Sequence, residues 1–218
     1  MLVATGLPPL TANVTNTVSQ MPGYLSIVEG YRPDLRGQGP RIRTLIAPTL
    51  IGALAGVGLL ALGGDATFEA VVPWLILGAC GLLAVQPRLK ATLQRRQEER
   101  TGLSAPLILA IAAGAAYASY FGAAAGVLLL AILAVGISDR LQRLNALNRF
   151  LVLLANAVAV PALILVAPVD WPSVAVLAPA TLIGGAVGVR LARRLDDRVL
   201  RASVIVLGVG VAIWLLLR

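Results

Sequence analysis

The sequence predicts an all-α polytopic membrane protein made of two inverted-topology repeats, the second of which contains a broken, re-entrant helical hairpin. Three observations lead to this prediction: the composition, an internal repeat and the distribution of charge. Of the 218 residues, 58% are hydrophobic and 13% are charged, and the mean hydropathy is +0.87. Soluble domains carry about 45–50% apolar and about 25% charged residues, so the composition indicates a membrane protein.

The internal repeat is visible as three matches that occur in the same order, at a nearly constant shift of about 130 residues. The matched segments are Asn13-x-x-Asn16 with Asn145-x-x-Asn148, Thr49–Gly52 with Thr181–Gly184, and Leu77-Gly78 with Leu207-Gly208. We therefore divide the chain into a first repeat over residues 1–86, a basic linker over residues 87–102 and a second repeat over residues 103–218.

Besides the broken hairpin, six stretches predict one helix each, because a span needs about 20 apolar residues to cross a bilayer core of about 30 Å. They are Thr11–Val28, Thr44–Leu62, Val71–Val85, Leu144–Val166, Val174–Leu191 and Ala202–Leu217. The first is too polar to be found by hydropathy and is recognised through its apolar partner in the second repeat. Gly52-x-x-x-Gly56 and Gly184-x-x-x-Gly188 have the spacing that lets two helix backbones approach closely.

The charged residues predict the orientation of the chain in the membrane. The net charge is +8, and its basic residues lie mainly in four segments, residues 32–43, 87–102, 138–149 and 190–201. Residues 63–70 and 167–173 carry acidic side chains and no basic ones. Because short basic loops remain cytoplasmic, the two halves have opposite orientations, and we expect a multi-pass protein of the bacterial inner membrane. The charge thus describes topology and predicts no nucleic-acid partner.

Leu103–Ile137 is an uninterrupted apolar stretch that would overshoot the bilayer as one straight helix. It begins and ends on the predicted cytoplasmic side, so we expect two short helices that meet within Gly114–Gly126, with a tip near Tyr120-Phe121-Gly122. The corresponding hairpin of the first repeat would lie before the first helix, where Met1–Thr5 is all that remains. We expect that about thirty residues of the natural protein precede this sequence.

The two Asn-x-x-Asn motifs are the first candidates for a substrate site. Asn13 and Asn16 share a helix face, as do Asn145 and Asn148, and an amide inside a span is costly unless it finds partners. Inverted repeats would direct all four toward a midplane cavity, where N–H groups bind anions and carbonyl oxygens bind cations. The alternative is that these amides only hold helices together. Asn156 is a further candidate on the same helix as the second pair.

The predicted tip supplies the remaining candidates, Tyr117, Tyr120 and Gly122. If the tip lies within the membrane, the second half-helix directs its N-terminus at the cavity, and that end attracts anions. The alternative is that both tyrosines belong to the aromatic belt at the membrane surface. Arg149 follows Asn148 and is either a counter-charge for an anion or a helix-end arginine that extends to the interface.

The residue types that are missing exclude other kinds of site. The chain has no His and a single cysteine, Cys80, inside an apolar stretch, so a His/Cys metal cluster and a disulfide framework are both excluded. We expect no cofactor and no metal. A nucleophile–base pair inside the spans is also lacking, so the sequence does not predict an enzyme.

Three segments resemble the TauE/SafE sulfite exporter family: Gly6–Tyr24 (GLPPLTANVTNTVSQMPGY), the glycine-rich Thr49–Gly56 and Val169–Arg201 (VDWPSVAVLAPATLIGGAVGVRLARRLDDRVLR). The resemblance extends over almost the whole chain and lacks the family's first hydrophobic segment. It implies a membrane permease or exporter for a small anion, either sulfite or an organosulfonate. A membrane scaffold without transport activity is the alternative, and its mark would be a fully apolar interface between the repeats. Neither prediction specifies an oligomeric state.

Overall fold

The computed structural model describes residues 6–95, 103–122 and 125–192, and these residues form helices and no strands. The predicted all-α class is confirmed. The helices are α1 Pro9–Gly30, α2 Arg32–Leu35, α3 Gly39–Arg95, α4 Ala105–Tyr120, α5 Ala125–Gly136, α6 Leu141–Val166 and α7 Trp171–Ala192. By length and composition, Gly39–Gly64 and Gln142–Val166 are each able to cross a membrane.

Helix α1 begins where the prolines allow it to begin. Pro8 is the N-cap and Pro9 is the first helical residue, a position where the missing N–H of proline costs nothing. The apolar face of α1 packs against the first arm of α3 and against α6, and it buries Leu10, Val14 and Val18. The predicted helix over Thr11–Val28 is therefore confirmed and extends by two residues at each end.

Helix α3 corrects two predicted loops. It consists of two arms that meet at Gly64, which has a φ of +63° and a ψ of −174°. A left-handed φ is accessible to glycine without steric cost, so this single residue makes the turn. The rest of the predicted connection at residues 63–70 is helical. Residues 87–95 of the predicted basic linker are helical as well, since they are rich in the strong helix formers Leu, Ala, Lys, Arg and Gln. Residues 96–102 of that linker lie outside the described residues.

The predicted loop at residues 31–43 is also shorter in the structure. It contains the single helical turn α2, and α3 already begins at Gly39. Proline at the first turn of both helices explains why the chain becomes helical so early, because Pro33 and Pro40 stand where an N–H is not needed. At the other end of the bundle, residues 167–170 separate α6 from α7, as predicted.

The predicted break inside Leu103–Ile137 is confirmed. Helix α4 ends at Tyr120, and Gly122 has a φ of +79°, which favours glycine. Gly114 faces the side chain of Leu129, and Leu107 faces Gly136, so α4 and α5 pack antiparallel as a hairpin. Small residues oppose large ones at both contacts, which brings the two helices close together.

The glycine pair of α3 is a close contact with this hairpin. A Cβ added at Gly52 would lie 2.0 Å from the carbonyl oxygen of Ala112, and one at Gly56 would lie 2.2 Å from that of Ala116. The two contacts advance together along both helices, so α4 runs parallel to the first arm of α3. Tyr120 is therefore level with Leu60, and the tip stops about 6 Å short of Gly64. The hairpin therefore runs beside most of the first arm of α3, with its tip near the Gly64 turn.

Helix α7 packs along α1, where the Thr181 hydroxyl donates a 2.6 Å hydrogen bond to the Ser19 carbonyl oxygen and Gly23 admits the backbone of α7. Helix α6 of the second repeat likewise packs against α3 of the first repeat. Each half thus pairs with the other, and the inverted relation between them stays a prediction. The predicted helix Ala202–Leu217 and the basic residues 193–201 lie outside the described residues.

An ion-pair cluster joins two of the predicted cytoplasmic segments. Asp139 accepts hydrogen bonds from Arg41, from Arg143 at 3.3 Å and from the backbone N–H of Arg140 at 2.7 Å. Buried Gln38 donates to the Arg143 carbonyl oxygen at 3.0 Å. Residues 38–41 and 139–143 therefore lie at the same end of the bundle, which we call the basic end. The charge pattern predicts this arrangement.

Replacing Asp139 by Asn is expected to lower the midpoint of thermal unfolding above pH 5 and to flatten its dependence on acid pH. Burial alone would raise the pKa of Asp139, but hydrogen bonds from Arg41, Arg140 and Arg143 and the charge of Arg41 outweigh it and lower that pKa. A lowered pKa stabilises the fold above the unfolded value of about 4, and this stability is lost as the pH falls through the folded pKa.

The measurement is thermal unfolding of detergent-solubilised protein followed by tryptophan fluorescence between pH 3 and pH 7. Asp34→Asn is the matched control, because no ion pair joins Asp34 to another described residue. Equal pH profiles for wild type and Asp139→Asn would contradict the prediction.

Candidate functional site

A cavity of about 300 Å³ lies between α1, the second arm of α3, the hairpin tip and α6. Its volume is at the lower end of the range of small-molecule sites, which begins at about 300 Å³. The lining residues are Asn13, Asn16, Thr17, Gln20, Tyr24, Ile76, Ala118, Phe121, Gly122, Ala125, Val152 and Asn156. The cavity is thus polar on the α1 side and mostly apolar on the opposite side.

The polar wall comes from one face of α1. Asn13, Asn16 or Thr17, Gln20 and Tyr24 follow one another at three- or four-residue intervals, so they form a single stripe along the helix. A neighbouring face carries the apolar residues that pack against the bundle core. The cavity wall therefore accounts for part of the polarity that hides α1 from a hydropathy scan, and the rest belongs to buried residues outside the lining such as Thr15 and Ser19.

Asn13 connects the wall to the tip. Its Nδ2 donates a 3.3 Å hydrogen bond to the carbonyl oxygen of Tyr120, the last residue of α4. On the other side of the same turn, Nδ2 of Asn148 donates a 2.7 Å hydrogen bond to the carbonyl oxygen of Gly126, near the start of α5. One asparagine from each motif thus holds one end of the hairpin tip, and Asn13 lines the cavity as well.

Asn16 and Asn156 face the cavity from opposite sides. Asn16 is exposed there and has no hydrogen bond to another described residue. Asn156 is buried, and its Nδ2 donates to the carbonyl oxygen of Val152 in its own helix at 2.8 Å. The Asn156 carbonyl oxygen has no such partner among the described residues, and the whole Asn16 amide remains available to a ligand.

The second motif lies apart from this cavity. Nδ2 of Asn145 donates a 3.2 Å hydrogen bond to the Tyr31 hydroxyl, beyond the end of α1. Asn148 is almost fully buried, and its Oδ1 has no hydrogen-bond partner among the described residues. The structure thus brings Asn13, Asn16, Asn156 and Gly122 together and places Asn145 and Asn148 outside the lining.

The two tyrosines of the tip pack against other aromatic rings. The Tyr120 ring lies 5.9 Å from that of Phe68 on the second arm of α3, and the Tyr117 ring lies 6.3 Å from that of Phe121 in a T-shaped contact. Offset or edge contacts of this kind are favourable for aromatic pairs. Neither tyrosine is part of the described cavity lining, so both rings pack at the tip outside the cavity.

Residues 1–215 match the family described as Sulfite exporter TauE/SafE, which is nearly the full length of the chain. The chain belongs to the TauE/SafE family. Membership implies a membrane transporter or exporter of sulfite or related anions, and members are transporters rather than enzymes. Searches of curated proteins and of solved structures find no match.

The chemistry of the cavity in this TauE/SafE protein suits a ligand that accepts hydrogen bonds. Amide N–H groups are present, and no Asp or Glu is among the described residues that line it. The described residues contain no group of His, Cys, Asp and Glu side chains that could hold a metal ion. The cavity therefore has the donors for an anion, and its described lining contains no carboxylate for a cation.

Three polar lining residues of this TauE/SafE protein were not predicted as site residues, namely Thr17, Gln20 and Tyr24. The signal that identifies them is their spacing relative to Asn13, which places them on the same face of α1. The Tyr24 hydroxyl donates a 2.8 Å hydrogen bond to Oε1 of Gln20 and closes one end of the wall.

Proposed function

We propose that this protein is a multi-pass permease of the bacterial inner membrane that exports a small anion, sulfite or an organosulfonate. The observation that supports the proposal is the polar cavity at the hairpin tip, in a chain whose family transports sulfite or related anions. The substrate binds among Asn13, Asn16 and Asn156.

The cavity favours an anion over a cation for two reasons. Its walls present amide groups without a carboxylate among the described lining residues, and helix α5 begins at Ala125, which is itself part of the lining. The N-terminal end of a helix carries a partial positive charge that stabilises an anion. Export of an anion from a cell that is negative inside releases about 2.3 kcal/mol per charge per 100 mV, so the membrane potential favours outward transport.

A membrane scaffold is the alternative function, and its expected mark is a fully apolar interface between the two halves. The interface here contains the α1 stripe on one side and Asn156 on the other. Asn16 donates to no described residue, so its amide N–H groups are available to a bound anion, and a purely structural interface gives them no role. The polarity of the cavity therefore supports a permease.

Asn156→Leu is expected to reduce sulfite flux by about tenfold or more, because a hydrogen bond to a charged ligand contributes about 1.5–3 kcal/mol. The substitution leaves the fold intact, since leucine is close to asparagine in size and the Val152 carbonyl oxygen lies within a helix. The measurement is efflux of radiolabelled sulfite from proteoliposomes under an imposed membrane potential.

Asn145→Leu is the matched control, on the same helix and outside the lining. Its flux is expected to remain within twofold of wild type. Equal effects of the two substitutions would remove the cavity from the transport path. Absence of wild-type flux for sulfite and for organosulfonates would overturn the proposed function.

A further inference from the structure

Arg149 lies on the face of α6 that lines the cavity. Val152 and Asn156 are lining residues, and Arg149 precedes them by three and by seven residues, which places all three on one face of the helix. Arg149 is therefore one helical turn beyond Val152, toward the basic end. Across the cavity, Tyr24 is the last lining residue of α1 in the same direction.

The surroundings of the Arg149 side chain direct it at this end of the cavity. A Cβ added at Gly126 would lie 3.5 Å from Nη1 of Arg149, and Gly126 follows the lining residue Ala125. The guanidinium is also close enough to Tyr24 to interact electrostatically with its hydroxyl. Arg149 thus stands between the start of α5 and the Tyr24 end of the α1 wall.

The positive charge of Arg149 lacks a partner in the described parts of the chain. Its Nε is buried and donates no hydrogen bond to any described residue. By contrast, Arg41 and Arg143 both pair with Asp139. The Arg149 side chain is partly buried, and desolvating a cation without a counter-charge is destabilising. An ionisable group inside a span usually serves the function.

We propose that Arg149 is the specificity-determining residue of this site and binds two oxygens of an oxyanion at the Tyr24 end of the cavity. This inference rests on the proposed anion transport. A guanidinium presents parallel N–H donors in a plane that matches two oxygens of a sulfite or sulfonate group, whereas a spherical halide engages only its charge. The charge of Arg149 therefore selects anions, and its planar donors select oxyanions among them.

The experiment measures binding of sulfite, methanesulfonate and chloride to detergent-solubilised protein by titration calorimetry at fixed ionic strength. Arg149→Gln removes the charge and is expected to weaken binding of both oxyanions by about tenfold or more. Arg149→Lys keeps the charge and loses the planar pair of donors, so the ratio of oxyanion to chloride affinity is expected to fall while chloride affinity is retained.

Arg140→Gln is the matched control, because Arg140 is an exposed arginine that precedes α6 at the basic end. It removes the same charge outside the cavity and is expected to change each affinity by less than twofold. The melting temperatures of all variants are measured in parallel, and Arg149→Lys tests the inference even if Arg149→Gln does not fold.

The possible outcomes separate this inference from the proposed function. Sulfite affinity of Arg149→Gln within twofold of wild type would overturn the role of Arg149, as would an unchanged oxyanion preference in Arg149→Lys. If either result is found while the wild type binds sulfite and Asn156→Leu binds it more weakly, the proposed permease function still stands. A wild-type protein that binds none of the three anions would overturn the proposed function and this inference with it.

Discussion

Asn16→Trp is expected to abolish anion flux while the protein remains folded. Asn16 is exposed in a cavity of about 300 Å³, and an indole at this position occupies much of that volume. Because Asn16 is exposed and has no hydrogen bond to another described residue, its replacement breaks no hydrogen bond in the described bundle. Sulfite efflux from proteoliposomes should fall to the level of protein-free vesicles, with the melting temperature close to that of wild type.

Leu25→Trp is the control for this substitution. Leu25 lies on the same helix, is 54% exposed and is absent from the cavity lining. A tryptophan there introduces the same side chain without filling the cavity, so flux is expected to remain near wild type. Substantial sulfite efflux through Asn16→Trp would show that the substrate passes elsewhere.

Gly52→Val is expected to prevent correct packing of α3 against the hairpin. Its Cβ would lie 2.0 Å from the carbonyl oxygen of Ala112, and a backbone atom cannot move away without displacing α4. Overpacking of a side chain against side chains costs about 1–3 kcal/mol, and a backbone clash exceeds that range. We expect loss of monodisperse protein in size-exclusion chromatography or a large decrease in the melting temperature.

Gly184→Val is the matched control, because Gly184 corresponds to Gly52 in the sequence repeat. A Cβ at Gly184 meets no atom of the described residues within 4 Å. The same substitution is therefore expected to leave the melting temperature almost unchanged. A stable Gly52→Val variant that melts with wild type would contradict the close contact between α3 and α4.

Several elements of the fold could be predicted because their causes are local in sequence. The length of Leu103–Ile137 exceeds what one span needs, so a break is required, and Gly122 is where the chain takes a left-handed φ. The spacing of Gly52 and Gly56 predicts a close helix contact. It does not identify the partner, since Ala112 and Ala116 lie far away in the chain.

Other elements could not be predicted because polarity and charge do not distinguish a loop from an exposed helix. Residues 63–70 and 87–95 carry the charge expected of loops, and they are helical apart from Gly64. A single glycine is enough to turn the chain, so no loop of several residues is needed. Predicted loop boundaries shift for this reason, although the order of the elements does not.

The candidate site could be predicted in part for a similar reason. A polar α1 is itself the signal of a polar cavity, and Asn13, Asn16 and Asn156 all line it. The Asn-x-x-Asn repeat predicts that Asn145 and Asn148 are equivalent to Asn13 and Asn16. Their neighbours differ, however, because Asn145 meets Tyr31 and Asn148 meets Gly126.

The sequence by itself determines that this is a helical membrane protein with a duplicated motif, a broken hairpin and basic segments at one end. These features depend on composition, length and spacing, which are properties of the chain alone. Only the tertiary structure decides which amides share a cavity and which arginine lies beside it. Those properties depend on distances between helices that are remote in sequence, and a side chain becomes part of a site only through its neighbours.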